Sequence, residues 1–271
     1  MCTTIVSIDP QSAVPVLLMG VRDEFLDRAW SGPARHWPET PTLFGGMDLL
    51  AGGTWLAVEP GVPRVACVLN GRGPQAAESI RLSRGALPLR LAAEGKLGFL
   101  DLLRYDPFHL LCATPDSAEL WSWDGSGLTE QSLGPGLHIV VNSGLNGGAD
   151  SANGGVDVEG AGDDADADAD ADAEPMRARL AHFRPLLERA HRPTPRPDAT
   201  IADAWGEWLP LADGAGLDPA DPRALLVRRS HEGRTWGTSS VSLVALGRDG
   251  VRYDFTAQPG DLGAWSAIRP H

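Results

Sequence analysis

Met1-Cys2-Thr3-Thr4-Ile5-Val6-Ser7-Ile8 sets a cysteine directly after the first methionine and directly before a strand-like run. Cysteine is small enough for removal of Met1 to be expected, which leaves a thiol and a free α-amine on one residue. An α-amine ordinarily titrates near about 7.7 to 8.0, so a useful fraction is unprotonated at neutral pH and accepts the thiol proton. Nucleophile and general base then share a single residue, as in enzymes with an N-terminal threonine. The run Thr3 to Ile8 is the first of several short β segments. Val14 to Val21, Thr54 to Val58 and Val65 to Asn70 follow it, separated by Pro and Gly.

Further along, the pattern turns helical over Gln75 to Glu94, where Gly85 and Pro88 predict two pieces rather than one helix. Strands are predicted at Phe108 to Ala113, Glu119 to Trp123 and Leu137 to Asn142. Helices are predicted at Met176 to Ala190 and Ile201 to Trp208, divided by the Pro-rich stretch His191 to Pro197. Val241 to Leu246 and Val251 to Thr256 predict a hairpin around Arg248-Asp249-Gly250. Strands and helices in this order predict an α+β protein with segregated layers. The 271 residues read as a single domain interrupted by an acidic low-complexity insertion at 146–175. Its Asp-Ala dipeptides carry too little apolar surface and too much like charge to offset the entropy of ordering, so a disordered, solvated loop is expected there.

Charge locates the same insertion. The chain has 23 basic and 36 acidic residues, a formal charge of −13, and ten of the acids lie between Asp150 and Glu174 without a single Lys or Arg. The rest is nearly neutral, and neither part offers the basic surface that nucleic-acid binding requires. No apolar run approaches the roughly 18 to 20 residues of a membrane-spanning helix, and the N-terminus lacks the basic and apolar regions of a secretory signal. A cytoplasmic protein is expected. Cys2, Cys67 and Cys112 cannot all pair and show no zinc or redox spacing, which fits a reducing compartment. Cys67 and Cys112 lie in apolar strand-like runs and read as small buried hydrophobes.

Other chemistries find no footing. There is no GxxxxGK[ST] phosphate loop, no GxGxxG between a strand and a helix, and no G-x-S-x-G elbow. The seven histidines are scattered without ligand spacing. Neither a metal nor a cofactor is therefore expected.

Four motifs stand together in the first 75 residues: Met1-Cys2-Thr3-Thr4-Ile5, Gly20-Val21-Arg22-Asp23-Glu24-Phe25, Gly52-Gly53-Thr54-Trp55-Leu56 and Val68-Leu69-Asn70-Gly71-Arg72. As a set they resemble the NRDE family, also called the transport and Golgi organisation 2 family. A thinner match continues through Leu137-His138-Ile139-Val140-Val141-Asn142-Ser143 and Trp236-Gly237-Thr238. The resemblance implies an N-terminal-nucleophile (Ntn) hydrolase fold, a four-layer αββα sandwich, similar to that of penicillin V acylase and bile salt hydrolase. Those relatives cleave amides with an N-terminal cysteine. It also implies a rival function, since members are discussed in connection with membrane traffic, acyl-lipid metabolism and haem handling. In that alternative the protein is a non-catalytic carrier of a hydrophobic ligand, an acyl lipid or haem.

Carried over residue by residue, Cys2 matches the nucleophile. Arg22 would favour the thiolate by charge, and Asp23 would hold the α-amine or Arg22. Asn70 would donate its amide to a developing oxyanion, and Asn142 is a second candidate donor. Trp30, Trp37 and Trp55 are candidate ligand-pocket residues, Trp55 reading more as core than the other two. The implied substrates are linear amides or acyl thioesters. Two departures matter. Val21 stands where the family carries an asparagine, and Ser239 and Ser240 stand where relatives tend to carry an arginine, for which Arg234 is the nearest replacement.

Overall fold

The computed structural model describes residues 2–151, 163–231 and 233–269. Its first hairpin pairs β1 (Thr3–Ile8) with β2 (Val16–Phe25). Both strands are apolar on two faces because each face meets a different neighbour. Ile5, Leu17 and Met19 enter one apolar cluster and Val6, Ile8, Val16 and Leu18 another, as the period of two along a pleated strand requires.

The chain then crosses to a second sheet. It runs through β3 (Trp30–Ala34), β4 (Phe44–Asp48), β5 (Leu56–Glu59) and β6 (Arg64–Asn70), passes helix α1 (Ala86–Glu94), and continues through β7 (Phe108–Ala113), β8 (Ala118–Trp123) and β9 (Leu128–Ser132). It returns to the first sheet with β10 (Gly136–Val141) and β11 (Gly144–Leu145). Helices α2 (Asp163–Arg189), α3 (Ile201–Trp205) and α4 (Trp208–Ala212) come next, followed by β12 (Arg228–His231), β13 (Arg234–Gly247), β14 (Gly250–Thr256) and β15 (Ser266–Ile268).

The second sheet is a meander in sequence order, β3 to β9. The first has the order β11-β10-β1-β2-β13-β14-β15, with β12 beside β13. Pairing between strands is antiparallel throughout the described residues. The protein is thus a mixed α/β fold built mainly from antiparallel sheet, with few helices.

Three apolar clusters hold these parts. Phe183, Leu187, Trp205 and Trp208 from the later helices pack on Ile5, Leu17, Met19 and Leu243 of the first sheet. Val6, Leu18 and Val244 of that sheet meet Leu56, Val65 and Leu111 of the second. Leu87, Leu91 and Ala92 of α1 pack with Ala66, Phe108 and Leu110. Each such fully buried large side chain contributes about 1.5 to 3 kcal/mol relative to exposure.

Several boundaries differ from the sequence reading. Of the helical stretch expected over Gln75 to Glu94, only Ala86–Glu94 is helix. Pro88 is tolerated in its first turn, where the backbone N–H has no intrahelical partner, and Gly95 closes it in the left-handed region at φ 73°. Ile201 to Trp208 splits into α3 and α4 around Gly206, whose φ of 48° interrupts the helix. The loop expected over 146–175 is partly described: Asn146–Ser151 turns as a 3-10 helix, α2 begins at Asp163 instead of Met176, and residues 152–162 lie outside the described residues. Alanine has the highest helix propensity and acids suit a helix N-terminus, so the Asp-Ala repeat can begin a helix.

Strands β3, β4 and β9 were not anticipated. β3 contains Pro33 and lies at a sheet edge, where a missing donor is tolerated. β9 is exposed along its whole length, so it has no apolar face to read. β4 carries Gly45 and Gly46, and a Cβ on Gly46 would stand 2.2 Å from the Trp55 ring. No helix of the described residues is long and apolar enough to cross a membrane.

Candidate functional site

Antiparallel register decides which residues surround Cys2. Thr3 pairs with Val21 on β2 and with Val141 on β10, so one step toward the N-terminus sets Cys2 between Arg22 and Asn142. The backbone N of Cys2 donates to Asn142 Oδ1 at 3.0 Å, and Cys2 Sγ lies 3.7 Å from the carbonyl oxygen of Asp23. Cys2 is half-buried in the wall of a cavity of about 590 Å³ that also holds Arg22, Asp23, Trp55 and Asn70. Asn70 ends β6 on the facing sheet. It is exposed, and its side-chain amide has no hydrogen-bond partner among the described residues.

Asn142 does not line that cavity. It lines an adjoining one of about 380 Å³ together with His109, and reaches Cys2 through its side chain alone. His109 fixes it from behind: Nε2 donates to the Asn142 carbonyl oxygen at 3.3 Å, and Nδ1 accepts from Ser122 Oγ at 2.8 Å. Burial holds the His109 imidazole below the ordinary histidine range, which keeps this neutral tautomer in place.

Arg22 and Asp23, adjacent on β2, point to opposite faces. Arg22 is buried, its guanidinium 4.4 Å over the Trp55 ring, donating to Ser239 Oγ at 2.9 Å and standing 3.5 Å from Asp48. Asp23 is directed to the helix side. Its Oδ1 accepts from Thr238 Oγ1 at 2.7 Å, while Oδ2 is buried, without a hydrogen bond, and 3.6 Å from Arg179 Nη1. The expectation that Arg22 draws Cys2 toward the thiolate is outweighed. Burial pushes the Cys2 thiol up and the Asp23 carboxylate adds to that, while the terminal amine and, more weakly, Arg22 oppose it only in part.

The departures near the C-terminus have a local explanation. The register between β2 and β13 slips by one residue at Ser239, so Ser239 is bulged toward Arg22 and takes its Nη1. Arg234 does not replace the missing arginine, because it is exposed and paired with Asp27 at 2.6 Å.

The three tryptophans separate. Trp55 lines the cavity, and Trp30 packs edge-on to it at 5.7 Å. Trp37 is buried elsewhere, its Nε1 donating to the Gly52 carbonyl at 2.8 Å.

Two arginines at or beneath the site escaped the sequence reading. Arg179 is 3% exposed and ties α2 to the site, its Nη1 donating to Thr3 Oγ1 at 2.7 Å and its Nε to the Ala224 carbonyl at 2.9 Å. Its signal was a cation inside an apolar helix stripe, three residues after Met176 and four before Phe183. Arg84 lines the Cys2 cavity from the loop before α1, and nothing in its sequence neighbourhood marked it. Among the described residues no three His, Cys, Asp or Glu side chains stand close enough to hold a metal ion.

The family model described as Transport and Golgi organisation 2 (TANGO2) matches residues 1–155, which include Cys2, Arg22, Asp23, Asn70, Arg84 and Asn142. Among curated proteins none matches this chain.

Proposed function

Because the chain belongs to the Transport and Golgi organisation 2 family, we propose that it is an N-terminal cysteine hydrolase of the Ntn type, acting on linear amide or acyl-thioester bonds after loss of Met1. The observation that carries this reading is the grip on residue 2: its nitrogen is held by Asn142 Oδ1 at 3.0 Å while its sulfur lines the cavity that Asn70 also enters. The packing of helices on the first sheet, sheet on sheet, and α1 on the second supports the four-layer αββα arrangement of that class.

Burial pushes the Cys2 thiol up in the chain that carries Met1, and in the processed chain the thiol is assigned a base at the moment of attack. The α-amine takes the thiol proton as sulfur bonds to the substrate carbonyl. Asn70 donates its amide to the oxyanion. When the intermediate collapses, the C–N or C–S bond breaks and the leaving group departs with the proton held by the amine. Water then adds to the acyl thioester, gives its proton to the amine, and releases the carboxylic acid and the free thiol. Asn142, braced by His109, orients the amine, and the buried Oδ2 of Asp23 is assigned as acceptor for its ammonium form.

The carrier reading has less behind it. Nine of the nineteen residues of the cavity wall are charged, and Trp55, Leu82 and Val68 are its larger apolar members, a poor match for an acyl chain or haem.

Mass spectrometry of the N-terminal peptide and an amide and thioester panel test the proposal together. The expected result is a chain beginning at Cys2 whose turnover disappears in Cys2→Ala with native circular dichroism retained. Retention of Met1, or turnover that survives in Cys2→Ala, overturns it.

A further inference from the structure

Four arginines line the Cys2 cavity, and three of them are already neutralised. Arg28 stands 2.5 Å from Asp48, Arg22 3.5 Å from the same carboxylate, and Arg81 3.2 Å from Asp106. Arg84 differs. It is half-buried, its Nη1 donates to the Pro107 carbonyl at 2.8 Å, and no carboxylate lies within ion-pair distance of it among the described residues. The remaining donors of its guanidinium have no acceptor among the described residues, in a wall where burial disfavours an uncompensated charge.

The fold holds Arg84 there by a backbone contact. Thr54 N donates to the Gly85 carbonyl at 2.9 Å, and a Cβ on Gly53 would stand 2.4 Å from the Gly85 carbonyl carbon. The Gly52-Gly53-Thr54-Trp55 motif is thereby a seat for the loop Ser83-Arg84-Gly85, with Trp55 under Arg22 and Gly53 against the residue that follows Arg84. Cys2 and Arg84 line the one cavity; burial pushes the Arg84 guanidinium down, and Asp106, already paired with Arg81, offsets this only in part.

We propose that Arg84 anchors a carboxylate on the substrate of the Cys2 site, making the preferred substrates acyl compounds that carry a carboxylate apart from the bond attacked. This inference rests on the hydrolase reading only for the word substrate; as a statement about the ligand it stands without turnover. The guanidinium fork matches a carboxylate in two parallel hydrogen bonds. A dianionic phosphate suits the wall less, because the carboxylates of Glu24, Asp48, Glu78 and Asp106 already match its four arginines in number.

The test is calorimetry on the full-length Cys2→Ala protein with N-acylglycines from acetyl to decanoyl, the matching N-acylglycinamides, and the matching N-acylaminomethylphosphonates. At least one acylglycine is expected to bind more tightly than its amide by about tenfold or more, the range of a charge-assisted hydrogen bond, and more tightly than its phosphonate. Arg84→Gln should level acylglycine and amide, and Arg84→Lys should keep part of the preference, both with native circular dichroism. The proposal is overturned if no acylglycine binds, if amides or phosphonates bind as well, or if the preference survives Arg84→Gln. Scoring the unmutated protein for free glycine and for products of the amide and thioester panel separates the two claims: preference without any release sinks the hydrolase reading alone, and release without preference sinks this inference alone.

Discussion

Asp23 and Asp254 lie on the two strands that flank β13, on the same face of the first sheet, and both are buried. Their surroundings differ. Asp254 is saturated: its Oδ2 accepts from Trp205 Nε1 and Arg252 Nε at 2.6 Å each, and Oδ1 accepts from Arg252 Nη2 at 3.3 Å. Arg252 in turn spends Nη1 on the carbonyls of Arg196 and Ala199. Asp23 has one hydrogen bond, from Thr238, and an Oδ2 with none. The first arrangement ties helix to sheet. The second leaves an acceptor open beside the only half-buried cysteine of the three. A buried carboxylate with both oxygens hydrogen-bonded is architecture, whereas one whose second oxygen has only an ion pair beside it keeps acceptor capacity next to the cavity.

The contrast breaks most visibly at Asp254. Asp254→Ala leaves Arg252 buried without its partner and should cost about 3 to 5 kcal/mol in urea unfolding, with the native alkylation rate of Cys2 unchanged. A loss below about 1 kcal/mol would mean that this pair is not the tie it is taken for.

Asn70→Ala sharpens the contrast from the other side. Because Asn70 is exposed and its amide unengaged, stability should stay within about 0.5 kcal/mol, while kcat on an active acyl substrate falls by about 100- to 1000-fold. An unchanged kcat would remove Asn70 from the oxyanion role.

The smallest effect is expected from Asp23→Asn. The substitution retains an acceptor for Thr238 but removes the carboxylate beside the buried Arg179, and should cost about 1 to 3 kcal/mol in unfolding. The Asp23 carboxylate helps push the Cys2 thiol up, so its removal lowers that pKa and speeds alkylation of Cys2 at a fixed pH below it. Slower alkylation would show that the carboxylate acts on the sulfur in the opposite sense.

What was legible in the sequence follows from burial. β1, β6, β7 and β8 have apolar neighbours on both sides, and their runs mark them almost residue for residue. β9 meets solvent along its length and β3 meets it at an edge, so neither leaves a pattern. The same holds at the site. Cys2, Arg22, Asp23 and Asn70 sit in compact local motifs, and the structure brings them to one cavity. Arg84 reaches that cavity because two glycine backbones touch across the fold, and Arg179 reaches Asp23 beneath it through a helix far along the chain. Such roles are made by tertiary contact and have no local signature. The sites of Trp37 and Trp55 exchanged the parts expected of them for the same reason, since the apolar character that singles out a tryptophan does not say which wall it joins.

The position of β13 governs the order in which the molecule can be completed. It lies between β2 and β14, near the centre of the first sheet, yet it begins at Arg234, well past the end of the family match at residue 155. During synthesis β1 and β2 emerge early, and the ten-residue edge of β2 stays open until the acidic segment and three helices have been made. The terminus that bears Cys2 therefore belongs to an unfinished sheet for most of the time the chain is on the ribosome, and a chain cut at residue 155 would keep that edge permanently.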